Sequence, residues 1–138
     1  MNTIQKEYYR VLAQTNALAL ATAVDNRPNV RIVNFVYAPD RPGILYFMSD
    51  RENKKVLEFQ QNSNAAFPVD GVAHVRARQA LVQKSRFTID DLKDLFIAKV
   101  PGYDQTLEAI GGTLDVFEIQ VKKAVIVTGF GEPAALSF

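Results

Sequence analysis

The chain has 138 residues, of which 48% are hydrophobic and 22% are charged; this suits one globular domain and excludes wholesale disorder. Sixteen basic and 15 acidic residues leave a net charge of +1, so no overall basic excess favours nucleic acid binding. The absence of cysteine excludes disulfides, zinc–thiolate sites and thiol nucleophiles. We therefore expect a single domain over residues 1–138, in which any anion site is local.

The N-terminal segment predicts an amphipathic helix, because Ile4, Tyr8 and Val11 recur at helical spacing. Charged residues interrupt the segment, so it lacks the continuous apolar core of a secretory signal. The most apolar stretch, Ala17 to Val24, is too short for a membrane-spanning helix, which needs about 20 residues. These features predict a cytoplasmic protein with no membrane partner.

Two strand-like runs, Ala17 to Val24 and Asn29 to Tyr37, predict an antiparallel hairpin around a turn at Asp25 to Pro28. In the first run alanines alternate with larger residues, so one face is small and lets a flat neighbour come close. In the second run Arg31 shares its face with bulky apolar side chains. A permanently charged guanidinium in that position needs a partner.

The rest of the chain predicts four or five further strands and two or three helices. The predicted elements are a strand at Ile44–Ser49, a helix at about Glu52–Gln61 with Asp50 as a candidate N-cap, a short strand at Ala65–Val69 with Pro68 at an edge or bulge, a long strand at Val72–Val82, a helix beginning at the Thr88 capping box, a short helix ending near Gly111, and strands at Phe117–Val121 and Ala124–Thr128. This order predicts a mainly β fold, an antiparallel barrel of six or seven strands with peripheral helices at its ends.

The single histidine, His74, excludes a three-histidine metal site within one chain. His74 alternates with Arg76 and Arg78 on one face of the long strand. A solvated polar face is the ordinary interpretation of this pattern. An anionic partner for this face is the other interpretation.

A basic constellation in the first half of the chain predicts a phosphate site. Ser49 ends a strand, and Lys54 and Lys55 fall in or near the first turn of the following helix, where the helix dipole disfavours cations unless an anion compensates them. Together with Arg31 and the backbone N–H groups of the helix start, these side chains supply the donors that a phosphate requires.

Spacing alone leaves a second interpretation open. In it the two lysines are solvated, and Arg31 pairs with an acid such as Asp25 or Asp50. The residues by themselves do not decide between a bound phosphate and an internal ion pair.

Two segments, residues 31–36 and 46–55, make the chain resemble the pyridoxamine 5′-phosphate oxidase family of FMN-binding split barrels, and the similarity extends from Asn16 to about Val127. The residues that reproduce the family's order and spacing are Ala21, Thr22, Pro28, Arg31, Ser49 and Lys55. The resemblance implies a split-barrel fold and an FMN cofactor.

The resemblance also implies roles for individual residues. Arg31 and Lys55 would bind the FMN phosphate, with Ser49 and Lys54 assisting. The implied contacts to the isoalloxazine or its ribityl chain are the backbone of Ile32, Val33 and Asn34, together with Met48. In the family the flavin lies at a homodimer interface, so a dimer that shares each flavin is expected.

Departures from the family pattern argue against oxidation of pyridoxamine phosphate itself. Val36 replaces a lysine that contacts the substrate phosphate, the C-terminal arginine–histidine motif is absent, and no glutamine matches the family's flavin contact in the region Ala73 to Arg76. The expected function is a flavin-dependent oxidoreductase of unidentified substrate, with no side chain assigned as catalytic. The alternatives are a non-catalytic flavin-binding or sensing module, or the same barrel binding deazaflavin or haem; haem is disfavoured because one histidine and no cysteine leave few axial ligands.

Overall fold

The computed structural model describes residues 2–70, 74–127 and 131–138. Over these residues the chain forms one antiparallel sheet of eight strands and four α-helices. The helices are α1 (Thr3–Gln14), α2 (Lys54–Gln61), α3 (Ile89–Lys99) and α4 (Tyr103–Ile110), and the strands are β1 (Ala17–Val24), β2 (Arg27–Asn34), β3 (Val36–Tyr37), β4 (Ile44–Asp50), β5 (Asn64–Asp70), β6 (His74–Lys84), β7 (Leu114–Val127) and β8 (Ala134–Ser137). The predicted mainly β split-barrel fold is confirmed.

The two ends of the sheet meet at an incomplete seam. The strand order is β2-β1-β5-β6-β7-β4-β3, with β8 beside β7. β3 pairs with β4 only at Val36↔Tyr46 and Tyr37↔Leu45, and beyond these pairs the edge of β4 approaches β2 without a ladder among the described residues. This open edge between β2 and β4 is the split in the barrel.

The predicted hairpin of β1 and β2 is present, with a tighter turn than its sequence suggested. Asp25 and Asn26 have φ values of 51° and 62°, which is the left-handed backbone of a two-residue turn that matches strand twist. β2 consequently begins at Arg27 and pairs with β1 over its whole length.

The start of α2 differs from the prediction. The N-cap is Asn53, whose side chain accepts from the Lys55 N–H at 3.0 Å. Asp50 is the last residue of β4 instead, and its Oδ1 accepts from the Glu52 N–H in the turn that follows at 2.8 Å. Lys54 and Lys55 are therefore the first two residues of the helix.

The C-terminal strands also differ from the prediction. The two strands predicted at Phe117–Val121 and Ala124–Thr128 are parts of the single strand β7. The strand continues through the break in alternation because its pairing with β6 is irregular at Lys123. β8 was not predicted, and it pairs with β7 through contacts such as Ala124↔Leu136. Thr128 and the predicted strand start at Val72 lie outside the described residues.

Alternate residues of β4 face two separate clusters of apolar side chains. Phe47 lies in the barrel interior, where its ring stacks on Phe117 at a centroid distance of 5.6 Å. Tyr46 and Met48 face outward and pack beneath α3 and α4. Ser49, next along the strand, has the inward orientation of Phe47.

Among the described residues, no helix combines the length and apolar character needed to cross a bilayer.

Candidate anion-binding site

Arg31 lies on the inner face of β2 and is held between β1 and α2. Its Nη1 donates to Thr22 Oγ1 at 2.8 Å and to the Leu20 carbonyl at 3.3 Å. Its Nη2 donates to Glu58 Oε2 at 2.8 Å, and the side chains of Arg31 and Glu58 are each 15% exposed. The charge of Arg31 therefore has an internal partner on α2.

Glu58 is the central residue that sequence reasoning missed, since Asp25 and Asp50 were the acids considered for Arg31. The Thr22 hydroxyl donates to Glu58 Oε2 at 2.9 Å, and Asn29 Nδ2 donates to Oε1 at 3.0 Å. Hydrogen bonds from Asn29 first, then Thr22 and Arg31, hold the pKa of Glu58 below its ordinary 4.5. One signal was available, because a hydroxyl on the apolar face of β1 requires a buried partner.

Lys55 lies within the electrostatic influence of Arg31 and forms no ion pair with a described residue. Its burial, and secondly the charge of Arg31, lower the pKa of Lys55, while Asp50 acts in the opposite direction. Neither Lys54, which is exposed, nor Lys55 forms an ion pair with a described residue. The positive charge of Lys55 is therefore added to the Arg31–Glu58 pair, and Asp50 offsets it only in part.

Donor capacity remains on the side chains of this cluster rather than on the helix backbone. A guanidinium has five N–H groups, and the three hydrogen bonds of Arg31 to described residues leave its Nε–H available. At the start of α2 the N–H of Lys55 is already bonded to Asn53. Because cations at a helix start are disfavoured by the dipole, the first turn of α2 is a favourable place for an anion.

Ser49 shares the inner face but makes no direct bond to the arginine. It is 3% exposed, and its hydroxyl donates to the Asp50 carbonyl at 3.3 Å, a long hydrogen bond. Among the described residues no hydrogen bond joins Ser49 to Arg31 or to the lysines. The structure therefore brings Arg31 and Lys55 together and places Ser49 on the same side of the sheet.

The outer edge of β2 offers free backbone groups toward the split. The Phe35 N–H donates to the Asn16 carbonyl at 3.2 Å, and hydrogen-bonded pairs alternate along an antiparallel ladder. The backbone of Val33 therefore bonds to β1, whereas that of Ile32 and Asn34 points toward β4. The side chain of Ile32 is 71% exposed, and Met48 lies on the same outer side of the sheet.

The predicted side chains differ in exposure, since Lys54 is exposed, whereas Ser49 and Arg31 are only 3% and 15% exposed. Arg31, Ser49, Lys54 and Lys55 line none of the five clefts found over the described ranges. None of these five clefts therefore gives a ligand an enclosed pocket at Arg31 and Lys55.

A family model described as pyridoxamine 5′-phosphate oxidase-like matches residues 11–133. No curated protein sequence matches the chain significantly.

Several solved structures are similar to the chain. Campylobacter jejuni ChuZ is 16% identical with a TM-score of 0.74, and the match covers 99% of this chain but only 61% of ChuZ. A FAD-binding protein from Mesorhizobium loti is 17% identical with a TM-score of 0.66, covering 90% of this chain and 92% of that one. A heme binding protein from Mycobacterium smegmatis is 15% identical with a TM-score of 0.70, and the match covers 99% of this chain and 59% of that one. At these identities the likeness concerns the fold alone.

Proposed function

The chain belongs to the pyridoxamine 5′-phosphate oxidase-like family, and we propose that it binds FMN and acts as a flavin-dependent oxidoreductase on a small substrate not yet identified. The observation that carries this proposal is the position of Lys55 in the first turn of α2, where it is partly buried, is affected by the charge of Arg31 and forms no ion pair with a described residue. Placing like charges together in a partly buried position is unfavourable unless an anion joins them.

The donors present fit a terminal phosphate. Lys55 would supply a point charge and Arg31 its remaining N–H groups, while Lys54 would add to the positive potential. Ser49 would assist by turning its weakly bonded hydroxyl toward the phosphate. Glu58 keeps Arg31 in place and at the same time limits the net charge available to the ligand.

The open edge of β2 would border the rest of the cofactor. The backbone groups of Ile32 and Asn34, free of β1, are suited to the polar rim of a flavin, and Met48 offers apolar contact. The backbone of Val33 bonds to β1 and has no free hydrogen-bonding groups. Val33 would therefore border the cofactor only through its position in the strand. Bound FMN would supply hydride or electron transfer, so the protein's part is binding and orientation, with no side chain needed as acid or base.

We extend the proposal to a homodimer that covers this edge. Val30 and Ile32 are 62% and 71% exposed on the outer face of β2, and contiguous exposed apolar side chains are typical of interfaces. A second copy would supply the contacts that one chain lacks. If this holds, dilution that dissociates the dimer releases the flavin; a monomer that binds FMN equally well contradicts it.

The identity of the cofactor is decided by the absorption spectrum of the purified protein. A FAD-binding protein and a heme binding protein share the fold, and His74 is the only histidine available for haem iron. A flavin spectrum whose released cofactor is FMN supports the proposal. A haem band, or FAD as the released flavin, overturns the choice of FMN.

The phosphate assignment is tested by comparing FMN with riboflavin, which lacks the phosphate. We expect Lys55→Met to weaken FMN binding by about 10- to 100-fold, the value of a charged hydrogen bond, and to leave riboflavin binding unchanged. Lys122→Met, at an exposed lysine of β7, is the matched control. Replacing Arg31 and Lys55 together should abolish FMN retention, and equal FMN affinity in all these variants would overturn the assignment.

Oxidoreductase activity needs a separate experiment, because binding alone also fits a flavin-sensing module. Reduction of the bound flavin by a nicotinamide donor, followed by reoxidation with an added acceptor over many turnovers, supports an enzyme. Retention of FMN without turnover favours the module.

A further inference from the structure

A second basic region lies on the outer face of the sheet, where β6 and β7 pair. It is a cleft of about 730 Å³ between β6 and β7, and its lining includes His74, the basic side chains of Arg76, Arg78 and Lys123, and the apolar Val125 and Pro133. We name this cleft the β6 groove. Its volume is in the range of small-molecule sites, and none of the described residues lining it is acidic.

The three cations of the β6 groove have no partner in the part of the chain that the structure describes. Arg76, Arg78 and Lys123 form no ion pair there. Arg27 is likewise exposed and without such a pair, but it lines none of the described clefts. What distinguishes the groove is that its cations converge on one concavity.

Alternation along β6 places Arg76 and Arg78 on its outer face, and a bulge adds Gln79 to the same face. The register of β6 shifts on both sides of Gln79, and Arg78 and Gln79 are both exposed, whereas a regular strand would turn one of them inward. Bulges commonly redirect a side chain in this way. Arg76 and Arg78 face outward together because they are two residues apart in the strand.

A neighbouring cleft extends the groove with apolar surface. It has a volume of about 520 Å³ and shares Arg76 and Arg78, and it continues over Ala19, Ala66 and Pro68 toward Val30. Three strand spacings, about 14 Å, separate the arginine side from Val30. The short side chains between them leave room for a flat group lying on the sheet.

We propose that the β6 groove binds a small organic anion with a flat apolar body, whose acidic group is held by Arg76 and Arg78. Guanidinium groups bind carboxylate and phosphate oxygens in pairs and also stack on flat rings, and the adjoining apolar cleft accommodates the body. Assigning this anion as the substrate of the oxidoreductase rests on the proposed function. The binding itself does not depend on it.

The test uses 2-naphthoate as the probe and 2-naphthamide as its uncharged analogue, titrated calorimetrically into the purified full-length protein. We expect the wild type to bind naphthoate at least tenfold more tightly than the amide. The double variant Arg76→Gln/Arg78→Gln should lose at least tenfold in naphthoate affinity. Arg27→Gln removes the same charge from an exposed arginine outside the groove and should bind as the wild type does.

Any of three results overturns the proposal. These are no naphthoate binding by the wild type, equal affinity for acid and amide, or unchanged binding by the double variant. Sedimentation of the same samples adds a fourth, because loss of a dimer in the double variant would assign the arginines to a subunit contact. FMN content is measured in parallel. Naphthoate binding without bound flavin refutes the proposed function alone, and bound flavin without naphthoate binding refutes this inference alone.

Discussion

The arginines of the two basic regions differ in burial and in pairing. Arg31 is mostly buried and is bonded to Glu58 and Thr22. Arg76 and Arg78 are exposed and have no ion pair with a described residue. Burial of a charge without a partner costs several kcal/mol, whereas an exposed charge is stabilised by water.

This difference decides what each arginine tells us about ligands. A buried arginine that has its own carboxylate is explained by the fold, so the case for a phosphate near α2 depends mainly on Lys55. The exposed arginines contribute little to the fold, and their convergence on a concavity therefore points more directly to an external anion.

The largest effect is expected where the internal ion pair is broken. Glu58→Gln should lower the free energy of unfolding by about 1 to 2 kcal/mol, because it leaves the guanidinium of Arg31 without a countercharge. Glu52→Gln, at an exposed position in the turn before α2, is the control and should be neutral. Urea unfolding measures both, and equal stability of the two variants would mean that the pair contributes nothing.

A related loss of stability is expected at acid pH. The pKa of Glu58 is lowered in the folded protein, so its contribution is complete above the ordinary value of 4.5 and is lost as the pH falls through the lower folded value. The wild type should therefore destabilise more steeply than Glu58→Gln as the pH falls below 4.5. Urea midpoints measured against pH check this, and parallel curves would refute it.

A smaller effect, about tenfold at most, is expected in the alkaline dependence of FMN binding. Burial and Arg31 lower the pKa of Lys55, and a phosphate dianion prefers the protonated amine. The affinity for FMN should be constant near neutral pH and should fall as the pH rises through the lowered pKa of Lys55. Lys55→Met should remove that fall, and an identical pH profile in the variant would exclude Lys55 from the site.

The smallest effect is expected in the β6 groove. Arg76→Gln and Arg78→Gln should each change the free energy of unfolding by less than about 0.5 kcal/mol, as exposed substitutions usually do. Thermal and urea unfolding measure this directly. A loss comparable with that of Glu58→Gln would indicate an internal structural role for these arginines and remove the contrast between the regions.

Several elements were predictable because their signals are local. The Thr88 capping box marks the start of α3, and its reciprocal bonds with Asp91 are present. Alternation over Ala17–Val24 is sufficient to predict β1, since small and large side chains take opposite faces. The basic pair Lys54–Lys55 falls in the first turn of α2, as its position after a strand suggests.

Other features were not predictable in this way. The apparent break at Lys123 is bridged by irregular pairing with β6, which the strand itself does not encode. The open edge of β2 exists only because the barrel closes incompletely.

Side-chain periodicity and helix caps were sufficient to predict the class of fold and the face of the strand on which Arg31 lies. Both predictions depend only on residues that are neighbours in the chain. Packing of distant segments alone decided that Arg31 pairs with Glu58, 27 positions away, and that Arg76 and Arg78 share a groove with Lys123. The physical reason is that charge pairing is satisfied in space, and several acids along a chain can be equally near until the fold selects one of them.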